Sequence, residues 1–253
     1  MLIVPAVIET LRRTKHLLVL TGAGASAESG IPTFRDALTG LWSRFDAEAL
    51  ATPDAFARDP DLVWGWYEWR RMKARHAAPN SGHRAIAALA ARGPRLTLVT
   101  QNVDDLHERA GSPEVLHLHG SLHAPRCVRC ARPFDLAPGV PDEPEGGRRL
   151  APPRCPQCGG AIRPGVVWFG ESLVPAVLGA AEAAARACDL CLTVGTSSLV
   201  SPAAALPGIA RDAGAALVQV NPSPTPLDGM ARHNLRGTCA EVLPAMLAAA
   251  WPG

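Results

Sequence analysis

The chain has 253 residues, 47% of them hydrophobic, with a formal net charge of +2. That length suffices for an α/β core with a small insert, and so mild a charge gives no reason to expect nucleic acid as a partner. No run reaches the ~18 apolar residues of a membrane span. The N-terminal stretch MLIVPAVIETLRRTK carries its positive charges after the apolar run, unlike a secretory leader. A reducing, cytoplasmic compartment is expected, so the seven cysteines need a role other than disulfides. Nearly all basic residues are arginine, Lys15 and Lys73 being the two lysines.

The apolar run Leu17–Thr21 reads as a strand that opens into Gly22-Ala23-Gly24-Ala25-Ser26-Ala27, the pattern G-x-G-x-x-[GA]. The first glycine permits a tight turn, and the second lets backbone N–H groups approach a pyrophosphate at a helix start. The acidic residue usually found about 20 positions on, at the end of a second strand, is missing. Asp46 has that spacing but no strand-like surroundings, which argues against an ordinary hydride-transferring dehydrogenase. Residues 37–80 hold Trp42, Trp64, Trp66 and Trp69, four of the six tryptophans, and read as a helical insert. Within it, Tyr67 and Arg70 are three apart and share a helix face, while Arg71 also lies within a turn of Tyr67.

Ser81–Arg92 reads as a helix and Leu96–Thr100 as a second strand. The strand ends in Gln101, Asn102 and Asp104, at the carboxyl edge where doubly wound sheets bind ligands. Capping of the next helix is the structural alternative for Asn102 and Asp104. A third strand, Val115–Leu118, runs into HLHGSLH, with His117, His119 and His123. His119, just before Gly120, is well placed for a general base, although composition does not choose among the three.

Cys127-Val-Arg-Cys130 and Cys155-Pro-Gln-Cys158 are two C-x-x-C pairs in a Gly/Pro-rich segment, residues 124–164, without a strand–helix rhythm. Four thiolates at this spacing close a tetrahedral zinc site and leave no position for water, so the metal is expected to be structural. A third pair, Cys188 and Cys191, sits at the entrance to the apolar strand Leu190–Val194, where buried cysteine is ordinary. Further strands are expected at Val166–Trp168 and Ala216–Val220, and helices at Pro175–Ala187, Ala203–Ala213 and Glu241–Ala250. The alternation predicts a doubly wound, Rossmann-like parallel sheet with helices on both faces and a smaller inserted helical and zinc-ribbon domain.

GAGAS with GIPTFR, TQNVD, LHG, the two cysteine pairs, PGVVWFGE, VGTSS and VNPS occur in an order that resembles the sirtuins, NAD-dependent protein lysine deacylases. The resemblance implies that NAD is consumed as a co-substrate, alongside one structural zinc. It makes residues 1–36, 81–123 and 165–253 the NAD-binding domain, 37–80 an insert contributing the acyl pocket, and 124–164 the zinc module. Gly22, Ala23, Gly24, Ala25 and Ser26 would wrap the pyrophosphate. Thr33, Phe34 and Arg35 would form a loop over the nicotinamide ribose, whose pocket Gln101, Asn102 and Asp104 would line. Gly195, Thr196 and Ser197, then Asn221, Pro222 and Ser223, and finally Cys239 would hold the adenosine half. His119 would be the base, with Asn102 and Asp104 as its catalytic neighbours. Val167, Trp168, Phe169, Gly170 and Glu171 would pair with an acyl-lysine peptide as an added strand.

By the same resemblance, the acyl oxygen attacks C1′ of the ribose and expels nicotinamide, His119 takes a proton from a ribose hydroxyl, and water completes the formation of an acyl-ADP-ribose. The Tyr67-x-x-Arg70 pair resembles the desuccinylase-type (class III) sirtuins of bacteria and mitochondria, which remove succinyl and malonyl groups. Arginine offers a planar fork to a carboxylate and tyrosine adds a hydroxyl donor. An ADP-ribosyltransferase on the same fold is the alternative activity. Acyl-lysine proteins are the expected partners, with no membrane or nucleic acid, and the chain is expected to be a monomer.

Overall fold

The computed structural model describes residues 3–32, 40–92, 94–136, 139 and 141–252. Helix α1 (Pro5–Arg13) leads into β1 (His16–Thr21), a strand buried along its whole length, and then the one-turn α2 (Gly24–Ala27). Three helices follow: α3 (Ala47–Leu50), α4 (Pro53–Arg58) and α5 (Pro60–His76). The local sequence dictates their starts, because Asp46, Thr52 and Asp59 each accept a backbone N–H as N-cap and Pro53 and Pro60 occupy first-turn positions. Next come α6 (Ser81–Ala90), β2 (Arg95–Thr100), α7 (Leu106–Arg109), β3 (Val115–His117), β4 (Gly120–Cys127) and β5 (Ile162–Val166). The chain closes with α8 (Pro175–Ala187), β6 (Leu190–Val194), α9 (Leu206–Asp212), β7 (Ala216–Val220), β8 (His233–Leu235) and α10 (Cys239–Ala250).

Six strands form one parallel sheet in the order β3-β2-β1-β6-β7-β8. Its connections reverse direction between β1 and β6, which is the switch point of a doubly wound sheet. Alternate residues feed two cores, as the two-residue period of a strand requires. Leu17 and Val19 of β1 pack with α1, α6 and α10, while Leu18 and Leu20 pack with α8 and α9. The expected sheet with helices on both faces is therefore present.

Three expectations need correction. The strand placed at Val166–Trp168 ends at Val166 and belongs to β5, which pairs antiparallel with β4 in a separate two-stranded sheet. Residues 124–164 accordingly contain strand after all; the segment GSLHAPRC of β4 carries a proline and no apolar alternation to announce it. The helix placed at 203–213 splits into a 3₁₀ turn, Ala203–Ala205, and α9, with Pro207 in the first turn of the latter.

The helical insert and the cysteine-rich segment share a core. Trp64, Trp66, Tyr67 and Met72 of α5 pack with Leu122, Cys127, Cys155, Ile162 and Trp168. Outside that core, Leu150 N donates to Asp61 O at 3.0 Å and Trp69 Nε1 to Glu145 O at 3.2 Å. Gly65 fixes the fit, since a Cβ there would lie 2.1 Å from Arg148 O. Replacing a helix-interior glycine with alanine ordinarily stabilises by about 0.5–1 kcal/mol. Here the clash reverses the sign, because overpacking costs about 1–3 kcal/mol. Gly65→Ala is therefore expected to lower the urea midpoint of unfolding; a raised midpoint would show that the 148–150 backbone yields freely.

Candidate active site at the switch point of the sheet

The turn after β1 crosses the end of β6 at backbone contact. A Cβ on Gly24 would lie 2.8 Å from Gly195 O, and one on Gly195 (φ +59°) would lie 2.5 Å from Ala25 N. Hydrogen bonds lock the crossing: Gly22 N donates to Val194 O at 3.0 Å and Gly24 N to Gly195 O at 2.8 Å. Ala25 N and Ser26 N close the turn onto Gly22 O and Ala23 O. Both glycines are thus required by the protein's own packing. Among the described residues, the Ala23 N–H alone of residues 22–26 has no backbone acceptor and is the amide of the turn open to a phosphate. Thr33, Phe34 and Arg35 lie outside the described residues.

Ser26 is the hub of a buried polar network. Its hydroxyl donates to Asp104 Oδ2 at 3.0 Å and accepts from Asn102 Nδ2 at 3.0 Å. Burial is the largest influence on Asp104 and raises its pKa, opposed by the bonds from Leu106 N and Ser26. Asp104 Oδ1 accepts from Leu106 N at 3.1 Å, so Asp104 does cap the turn before α7 as well as reach into the site. Thr196 ties the other expected residues together, because Gln101 Nε2 donates to its hydroxyl at 2.9 Å and Asn221 Nδ2 to its carbonyl at 2.8 Å. Asn221 Oδ1 accepts from Ser223 N at 3.1 Å, shaping the loop of Pro222. Cys239 Sγ, buried, lies 3.3 Å from Ala25 O. Ser197 follows Thr196 at the same sheet edge, partly exposed. The expected residues at 22–26, 101–104, 195–197, 221–223 and 239 therefore converge on one edge of the sheet.

The structure separates the three histidines of HLHGSLH. His117 Nδ1 meets Asn102 O at 3.0 Å and Nε2 meets Glu108 Oε1 at 2.6 Å. Both nitrogens face acceptors; burial opposes the charged form, but the bond and charge of Glu108 outweigh it and raise the His117 pKa. His123 Nε2 stands 3.6 Å from Asp105 Oδ1, and neither of its buried nitrogens has a hydrogen-bond partner. His119 Nδ1 donates to Gln101 O at 3.0 Å. That bond places the proton on Nδ1 and leaves Nε2 as acceptor, and burial lowers the pKa. A neutral imidazole with an available Nε2 is the form a general base needs.

Two further histidines adjoin the site without having been singled out by motif. His83 Nε2 lies 3.4 Å from Ser26 Oγ, and His107 Nε2 lies 3.0 Å from Thr21 Oγ1. Their rings stand 4.7 Å apart. Burial lowers the pKa of His83 to about 4 and of His107 to about 3. His83 also closes a capping box with Asn80 at the start of α6; the N-x-x-H spacing is the signal that would have found it.

In α5, the Tyr67 side chain is buried at 2% exposure, and its oxygen accepts from Trp168 Nε1 at 3.0 Å. The Arg70 guanidinium sits 5.0 Å from the Trp66 ring centroid and 5.4 Å from that of Tyr67. A hydrogen bond joins Arg70 to Tyr67, and burial lowers the Arg70 pKa. Burial likewise pushes Tyr67 up to about 12, so it is a neutral phenol. Arg71, by contrast, forms a buried two-point pair with Glu68 at 3.2 and 2.6 Å.

Residues 167–171 are not a strand: the chain leaves β5 after Val166 and turns at 169–171. Val167 N donates to His119 O at 2.8 Å, Phe169 N to Ala51 O at 2.9 Å and Trp168 N to Glu171 Oε2 at 2.9 Å. Glu171 N donates to Trp168 O at 3.0 Å, so of the N–H groups in 167–171 only Gly170 has no partner among these bonds.

Cys127, Cys130, Cys155 and Cys158 bring four Sγ atoms within 4.8 Å of one another. Tetrahedral zinc with Zn–S near 2.3 Å requires S···S of about 3.8 Å, and the pairs Cys127–Cys158 and Cys130–Cys155 stand at 3.4 and 3.7 Å. No disulfide joins them, and a disulfide would bring the sulfurs to about 2 Å. The donor set fits zinc. Cys188 and Cys191 are buried elsewhere, in the core between the sheet and α8. One zinc per chain is expected by metal analysis, with Cys155→Ser losing the metal and unfolding at lower temperature and Cys188→Ser retaining full metal content. A metal-free preparation of full stability would overturn the assignment.

The Sir2 family model matches residues 22–202. A NAD-dependent protein deacylase of Methylococcus capsulatus is 61% identical over 242 residues, covering 96% of this chain and 95% of that protein. NAD-dependent protein deacylase 1 of Pseudomonas aeruginosa is 62% identical over 250 residues, with 98% and 99% covered. Among solved structures, a Sir2 homolog–NAD complex is similar at a TM-score of 0.89 and 46% identity, covering 98% of this chain and 94% of that one. A Sir2–p53 peptide–NAD+ complex is similar at 0.82 and 30% identity, with 96% of each chain covered. With the ordered motifs, the six-stranded parallel sheet and the four-cysteine cluster all in place, the chain belongs to the Sir2 family.

Proposed function

We propose that this chain, an NAD-dependent protein deacylase, removes acyl groups from protein lysine and prefers those ending in a carboxylate, such as succinyl and malonyl, releasing nicotinamide and O-acyl-ADP-ribose. The observation that carries the preference is the placement of Arg70, a partly buried cation held against the Trp66 and Tyr67 rings and bonded to the Tyr67 hydroxyl. Trp168 and Arg70 both donate to the Tyr67 oxygen, so its own O–H is left to donate. An acyl carboxylate arriving between the two meets one planar fork and one hydroxyl donor.

At the switch point, Gly22 to Ser26, Thr196 and Asn221 hold the dinucleotide in this reading, and Gln101, Asn102 and Asp104 line the nicotinamide side. His119 works from Nε2, with the Gln101 carbonyl fixing its tautomer. It takes a proton from a ribose hydroxyl as that oxygen becomes a nucleophile. The zinc stands apart from this chemistry, its four positions being filled by thiolates. An ADP-ribosyltransferase would use the same NAD site, and product mass distinguishes acyl-ADP-ribose from ADP-ribosylated protein.

His119→Ala is expected to lower turnover by roughly 10²–10⁴-fold, with NAD binding by calorimetry largely retained. Because burial lowers the His119 pKa, the base stays competent through pH 7, and the acid limb of kcat/KM is expected below the ordinary histidine value of about 6.5. Activity that survives His119→Ala but not His117→Ala would reassign the base.

For acyl choice, Arg70→Met keeps the apolar stem and removes the fork. The succinyl-to-acetyl ratio of kcat/KM is expected to fall about ten- to 150-fold, the value of a charge-assisted bond of about 1.5–3 kcal/mol. Tyr67→Phe is expected to move the ratio the same way by less. Arg71→Met is expected to lower stability instead, since it strands buried Glu68 at a cost of about 3–5 kcal/mol. Equal loss of both activities in Arg70→Met would make Arg70 a structural residue.

A further inference from the structure

We infer that Arg163 is a positioning residue for acyl selectivity: it clamps the Trp168 indole, and the indole N–H sets the orientation of the Tyr67 hydroxyl. The inference rests on the reading that Tyr67 and Arg70 line the acyl pocket.

Arg163 lies in β5, and its side chain is 7% exposed. Its guanidinium carbon stacks 3.5 Å from the Trp168 ring centroid. The fork grips Glu171 at two points, 2.5 and 2.8 Å, and Nη2 also donates to Val166 O at 3.1 Å. Glu171 Oε2 in turn accepts from Trp168 N at 2.9 Å. The indole is therefore held on one face by Arg163 and at its backbone by Glu171. Phe56 leans on it with ring centroids 5.4 Å apart.

A buried indole N–H ordinarily finds a hydrogen-bond partner, and holding the ring fixes which partner a stack serves. This one points its single polar side-chain atom, Nε1, at the Tyr67 oxygen, 3.0 Å away. A continuous series of contacts thus runs Glu171–Arg163–Trp168–Tyr67–Arg70, from the turn after β5 to α5. Arg163 holds the indole through its stacked face and its two-point bond to Glu171, so a loosened guanidinium lets the indole rotate and frees the phenol. A stacked arginine is also not replaceable by lysine, which lacks both fork and planar face.

Tyr67 is the only tyrosine in the chain, so tyrosine labelled with carbon-13 at Cζ gives one resonance that reports its hydrogen bonding directly. In Arg163→Met, that resonance is expected to shift, and the succinyl-to-acetyl ratio of kcat/KM to fall about three- to ten-fold, as for loss of one oriented neutral hydrogen bond. Arg163→Lys is expected to behave alike. Trp168→Phe, which keeps a ring but removes Nε1–H, serves as the second variant if Arg163→Met folds poorly, and is expected to shift the resonance in the same way. A resonance unchanged in both variants overturns the inference. So does a shifted resonance accompanied by parallel loss of both activities, the signature of a merely structural role. If the wild-type enzyme shows no preference for a carboxylate, the reading of Arg70 fails on its own. Arg163 is then judged by the label alone: a shift keeps it as the residue that orients Tyr67, and no shift removes it.

Discussion

The crossing of Gly24 over Gly195 is the constraint on which the site depends. The carboxyl ends of β1 and β6 are adjacent in the sheet, and their following turns can occupy the same space only if neither carries a side chain at the contact. With that contact made, Ser26 enters the protein as a buried hydroxyl instead of facing solvent. Its position then determines where Asn102 and Asp104 are held, since both bond to it. Thr196, one residue past the crossing, anchors Gln101 and Asn221 from opposite sides. A single backbone contact therefore registers four loops against one another, and displacement of either glycine would be felt at every polar group of the site.

Much of this was legible in the sequence, for identifiable reasons. β1, β2, β6 and β7 are apolar runs bounded by turn residues, and a buried parallel strand has that form. The cysteine spacing reports the four-sulfur cluster directly, because ligand geometry is local in sequence. What was not legible is what depends on distant contacts. β4 has no alternation because its partner β5, separated from it by 34 residues, supplies the order. β8, only three residues of His-Asn-Leu, is a strand because the edge of β7 accepts it. The common core of the insert and the cysteine-rich segment likewise comes from pairings such as Leu150 with Asp61 and Gly65 with Arg148, which no local pattern encodes.

That common core brings two elements face to face. α5 presents Tyr67 and Arg70 from one side, and β5 with its following turn presents Trp168 from the other. The cysteine cluster sits in the same body, since Cys127 pairs with Ile162 across the β4–β5 ladder. On that helix Arg70 stacks against the Trp66 and Tyr67 rings, whereas the arginine next to it, Arg71, pairs with Glu68. Two adjacent residues of one type thus have different physical fates, and the helix phase decides which.

The histidines carry the same lesson further. Four of them surround the polar network, and residue type says nothing about their roles; the atom opposite each nitrogen does. Glu108 opposite His117 stabilises its charged form. The Thr21 hydroxyl, which itself donates to Thr100, must accept from His107 Nε2, so His107 Nδ1 is buried without a partner and the ring stays neutral. His117 and His119 both pair Nδ1 with a carbonyl, which can only accept, but opposite the other nitrogen His117 has Glu108 whereas His119 keeps a lone pair. A carbonyl fixes the tautomer without supplying a charge, so basicity is tuned by burial rather than by an ion pair. Burial therefore disfavours a proton on His119 Nε2, whereas Glu108 favours one on His117.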